Sequence, residues 1–132
     1  MFNEKKLRHA KTTNIITAVL FLTLVILAIV FFAIPAIVTQ TASHSSTIEM
    51  FLVSYVYGVY VCSIFAVIVF ISEITNIIFN SIWLNSLTDE QESKIRSDMI
   101  IWFVLSIIPL FAIANIILAV KQNKLLKINK VN

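Results

Sequence analysis

The chain has 132 residues, of which 59% are hydrophobic and 13% charged, against roughly 45–50% apolar and about 25% charged in ordinary soluble domains. A water-soluble fold of this size would have too few polar side chains to cover its surface, and the mean hydropathy of +0.94 points to lipid as the solvent. The formal charge of +3 is concentrated at the two ends, just outside apolar runs, which is the pattern of membrane flanks and excludes a nucleic-acid-binding face.

In a bilayer every backbone N–H and C=O must be satisfied internally, so a spanning chain is helical or a closed barrel. The apolar runs are continuous and far longer than a strand needs, without period-two alternation, and helices are expected throughout. The lone Cys62 rules out an intramolecular disulfide, and the abundance of isoleucine, lysine and asparagine beside a single glycine matches AT-rich bacterial coding.

The first apolar run covers residues 14–38 without a charge and follows Lys5, Lys6, Arg8 and Lys11. Its length suits a hydrocarbon core of ~30 Å. It exceeds the apolar core of a cleaved signal peptide, so it reads as an uncleaved anchor, with Pro35 marking where the helix bends or stops. The link 39–47 is polar and uncharged. His44 within it has no second ligand residue at metal spacing. Ser46-Thr47-Ile48-Glu49 has the form of a capping box, in which the hydroxyl caps one end of the first turn and the carboxylate reaches back, so a second helix should begin there.

The second span is expected over 49–72. Ser54, Gly58, Cys62 and Ala66 recur every four residues on one face, and small side chains in register let two helix backbones approach closely in lipid. Tyr55, Tyr57 and Tyr60 suit the membrane interface near its start. Glu73 would oppose the negative end of the macrodipole if the helix stopped there, so the helix is expected to continue to about Ser86 through Asn76, Asn80 and Asn85.

Thr88-Asp89-Glu90-Gln91 forms a second capping box with acid in the first turn, which predicts a helix start near Asp89. An uncharged run over 99–120 reads as a third span, kinked by Pro109, with Asn115 as an interhelical hydrogen-bonding residue. In the tail 121–132, Lys121, Lys124, Lys127 and Lys130 stand three residues apart. They belong either to a helix lying on the membrane surface or to a frayed basic end.

The expected architecture is therefore an all-α integral membrane protein forming a single membrane domain. It has three transmembrane helices (14–38, 49–72, 99–120), and a helical hairpin over 73–98, turning at 85–88, joins the second and third. Three spans place the two basic ends on opposite sides, against the positive-inside rule; the alternative of a fourth span over 74–87 removes that conflict, but its 14 residues reach only ~21 Å at 1.5 Å per residue. The chain is expected in the cell membrane as a multi-pass protein with its N-terminus cytoplasmic.

The single glycine precludes a phosphate-binding loop, and no His, Cys and carboxylate residues cluster at ligand spacing. No catalytic, cofactor or metal site is therefore expected, and no enzyme activity. The leading functional expectation is a non-enzymatic subunit or scaffold of a membrane complex, in contact with lipid and with other membrane subunits or with itself through the 74–98 hairpin. The alternative is a small oligomeric transporter or channel. Glu73, Asn76 and Asn80 are the expected partner contacts under the first reading, and with Asn115 the pathway lining under the second.

Overall fold

The computed structural model describes residues 4–41, 45–87, 90–107 and 112–131, and these are helical almost throughout. Helix α1 (Glu4–Ala28) passes through a π-helical turn (Ile29–Ala33) into α2 (Ile34–Thr41); α3 (Ser45–Asn85), α4 (Glu90–Ile107) and α5 (Ala112–Val131) follow. Two stretches, Glu4–Gln40 and Ile48–Asn85, are long and apolar enough to cross a membrane. At 1.5 Å per residue each reaches about 55 Å, well beyond a ~30 Å hydrocarbon core.

The structure divides into two compact units, one formed by Leu20–Val69 and the other by Met1–Val19 together with Phe70–Asn132. In the first unit the π-helical turn ends at Ala33, two residues before Pro35. Proline has no N–H for the carbonyl four residues back, and its ring crowds that carbonyl. The affected group is the carbonyl of Phe31, and the Ser54 hydroxyl of α3 donates to it at 3.0 Å. The wider π turn makes room for the ring, and the helix continues to Thr41, beyond the stop or bend expected at Pro35.

In the second unit, an apolar cluster of Leu7, Ala10, Trp83, Leu84, Leu87, Met99, Leu118 and Leu126 joins α1, the end of α3, α4 and α5. Helix α3 runs without a break through Glu73 to Asn85, and backbone bonds from Ser86 to Trp83 and from Leu87 to Leu84 close it. The capping boxes expected at 46–49 and 88–91 rest largely on side chains outside the described residues.

The apolar run 99–120 differs from the continuous third span expected of it. It is divided between α4 and α5, and the expected kink at Pro109 falls outside the described residues. Lys121 Nζ lies 2.7 Å from Asp98 Oδ2 and 5.7 Å from the centre of the Trp102 ring. The two ends of the run are therefore side by side, and α4 and α5 form an antiparallel hairpin. Each apolar arm, 99–107 and 112–120, is about 13 Å long at 1.5 Å per residue, less than half the thickness of the hydrocarbon core.

Beside the apolar cluster, exposure does not follow polarity as it does in a soluble protein. Asn14, Asn76, Asn80 and Gln122 are fully buried, whereas Ile26, Ile37, Ile71, Ile101 and Ile113 are each more than half exposed. Burying amides while exposing isoleucine is unfavourable in water and favourable in a solvent without hydrogen-bonding capacity.

Candidate functional site

Apart from Ser106 on α4, the buried and half-buried polar residues that meet in the second unit belong to three helices, and each set follows helical spacing. Asn14 and Thr17 share a face of α1, Ser72, Asn76 and Asn80 a face of α3, and Asn115 and Gln122 a face of α5. Steps of three, four or seven residues keep side chains on one stripe of a helix, so where the stripes meet the amides converge.

Asn14 Nδ2 donates to Asn80 Oδ1 at 3.1 Å and to Gln122 Oε1 at 3.0 Å, and Gln122 Nε2 donates to Asn80 Oδ1 at 2.9 Å. Asn80 Nδ2 in turn donates to Asn76 Oδ1 at 2.7 Å and to the Asn76 carbonyl at 2.8 Å. The chain ends with Asn76 Nδ2 donating to Asn115 Oδ1 at 3.1 Å. Alongside it, the Thr17 and Ser72 hydroxyls are 2.8 Å apart. Donation runs in one direction from Asn14 and Gln122 through Asn80 and Asn76 to Asn115, an order in which each bond polarises the next. Amides do not titrate, so the assembly fixes helix register without carrying charge.

Glu73 stands at the edge of this arrangement, three residues before Asn76. It is 8% exposed, and its Oε1 has no hydrogen-bond partner among the described residues. Asn14 Oδ1 and Trp83 Nε1 are likewise buried without a partner there. Asn76, Asn80 and Asn115, singled out from the sequence, are thus placed in one bonded network, while Glu73 makes no bond to it through Oε1. Asn14, Thr17, Ser72 and Gln122 were missed. Their signal was present as polar residues three or seven positions apart on otherwise apolar helices, but which stripes face one another is a tertiary fact.

The small-residue stripe lies in the other unit. Gly58 is buried against the π turn; a methyl group there would come within 2.7 Å of Phe31 Cβ and 2.9 Å of Phe32 Cζ. Ser54 is bonded to the Phe31 carbonyl and Cys62 is half-buried, but Ala66 is exposed. Phe32 and Tyr55 meet edge-to-face at 5.4 Å. His9 packs edge-on against Phe79 at 5.5 Å, and His44 lies outside the described residues. Among the described residues no three His, Cys, Asp or Glu side chains are grouped to hold a metal ion.

No protein-family model matches this chain, and neither does any curated protein or solved structure.

Proposed function

We propose that the chain is a non-catalytic subunit of a membrane complex in which α1–α2 and α3 cross the bilayer and the α4–α5 hairpin enters and leaves on one face. The pairing of Asp98 with Lys121 carries this reading, because it brings together the two ends of an apolar run that would otherwise lie on opposite sides. Both basic termini and the 86–98 segment then share the cytoplasmic face, and the positive-inside rule is met without a short fourth span. The end of α4 at Ile107 and the start of α5 at Ala112 present helix-terminal backbone groups at membrane depth that need protein or water around them, which is the physical reason to expect a neighbouring subunit. Ile74, Ile78 and Ile82 form an exposed stripe on α3, and Lys94 and Arg96 are exposed on α4. Together they offer an apolar and a basic contact within the 74–98 segment.

Topology is tested by single-cysteine labelling at Ser45, Ser93 and Asn132 in a Cys62→Ser background. Ser93 and Asn132 should react from the same face and Ser45 from the other. Ser93 and Asn132 on opposite faces would require three spans if Ser45 labels opposite Ser93, and four if Ser45 shares the face of Ser93.

The subunit role is tested by purifying the tagged chain from its host in mild detergent and identifying stoichiometric partners. Charge reversal at Lys94 and Arg96 with Ile78→Ala should remove the partner while leaving the fold intact. The channel reading draws on the unpartnered Glu73 carboxylate; the mutual bonding of the amides weighs against it, since a pathway needs polar groups open to the permeating species. Ion conduction by a reconstituted homo-oligomer, abolished by Glu73→Gln, would overturn the subunit reading.

A further inference from the structure

Helices α1 and α5 flank a half-open cavity of about 390 Å³ lined by Arg8, Lys11, Thr12, Asn123, Leu126 and Lys127. Three of these six side chains are cations, and a hydroxyl and an amide stand among them. Lys11 Nζ is held 3.3 Å from Asn123 Oδ1, which ties the ammonium to the α5 wall. Arg8 also meets Glu4: its Nε, at 3.1 Å, and its Nη2 both donate to Oε1. With that carboxylate counted, the three cations still leave the cavity with an excess of two positive charges. Leu126, almost fully buried, supplies an apolar wall.

This is a donor set for a phosphate oxygen cluster, with a guanidinium, two ammonium groups and a hydroxyl. The cavity has room for a phosphate with its ester substituent, given that one water occupies about 30 Å³ of liquid. Its position on the chain adds a second argument. Thr12 lies two residues before the first apolar run, and Asn123 lies three residues beyond the last one, so both walls are at the boundary between apolar and basic sequence. Basic cavities at that boundary meet lipid headgroups.

We propose that this cavity binds the phosphoester group of an anionic ligand, in the membrane the headgroup of an acidic phospholipid. The cations that the sequence presents as two separate basic ends, one on α1 and one on α5, then form a single site. Binding needs no partner protein, and only its lipid source rests on the membrane placement above.

The test uses the full chain purified in detergent, with thermal unfolding followed during titration with phosphatidylglycerol, with phosphatidylcholine, and with inorganic phosphate. Phosphatidylglycerol should raise the melting temperature saturably and phosphatidylcholine should not. Arg8→Gln with Lys127→Gln should raise the half-saturating concentration about tenfold or more, as expected for lost charge-assisted bonds. Lys94→Gln, outside the cavity, should leave it unchanged. The charge-keeping pair Arg8→Lys with Lys127→Arg should retain most of the response. A response to inorganic phosphate that needs the same cations identifies a water-borne phosphate as a further source. No response of the wild-type chain to either phosphate source, or an equal loss in Lys94→Gln, overturns the site. Failure here leaves the labelling pattern and partner recovery unaffected, so the two proposals are separable.

Discussion

Asn80→Ala should destabilise the protein by about 2–4 kcal/mol, because it removes the acceptor of two buried donors and the donor of two buried acceptors at once. Asn14 Nδ2 would keep only Gln122 Oε1, and the bond from Gln122 Nε2 to Asn80 Oδ1 would be lost, at positions fully shielded from solvent. Single interhelical hydrogen bonds in membranes average about 0.6 kcal/mol, so the large value expected here comes from the number of bonds lost together. Gln122→Ala should cost less, since Asn14 and Asn80 remain bonded to each other. The double substitution should show a coupling of about 0.5–3 kcal/mol, as for residues sharing one network. Reversible unfolding in mixed micelles, followed by circular dichroism, measures all three. Changes below about 0.5 kcal/mol throughout, the level of ordinary surface substitutions, would show that the amides do not hold α1, α3 and α5 together.

Gly58→Ile should lower stability by about 2–5 kcal/mol, the sum of overpacking and of a strained or broken hydrogen bond next to it. The obstacle at 2.7 Å is Phe31 Cβ, which is fixed to the backbone and cannot swing away, whereas the Phe32 ring can rotate. The backbones must therefore separate, and one turn away the Ser54 hydroxyl loses its 3.0 Å approach to the Phe31 carbonyl. That hydroxyl supplies a donor that Pro35 cannot. Gly58→Ala should be milder, because a gain of about 1 kcal/mol in helix propensity offsets part of the crowding. Thermal unfolding of the monomer in detergent is the appropriate measurement, since the crowded residues belong to the same chain. A loss of oligomer with unchanged monomer stability would place the critical contact of Gly58 between chains instead.

Helix content and the long second helix were legible without coordinates. Glu73 could not end a helix against the macrodipole, and α3 does run past it to Asn85. The start expected at Ser46 and the turn expected at 85–88 fall within a residue or two of the observed ends of α3 and α4. These are local matters of dipole, capping and hydrophobic length, decided within a few residues of chain. The π turn was not legible: Pro35 announced a disturbance, but the outcome depended on a hydroxyl from 23 residues away.

The run 99–120 marks the division most clearly. Taken alone, 22 uncharged residues satisfy every length criterion for a span, and nothing local says that they fold back on themselves. What decides it is the company of α4 and α5: Asp98 opposite Lys121, Leu118 and Met99 in a shared apolar cluster, and Asn115 and Gln122 bonded to amides of α1 and α3. Composition and helix-end chemistry thus determined that the chain is helical and, to within a residue or two, where α3 begins and ends, since those depend on residues near in sequence. Which polar faces meet, and that the two ends of the last apolar run lie side by side, was left to the tertiary structure, because a buried amide is satisfied only by partners that the fold brings to it from other helices.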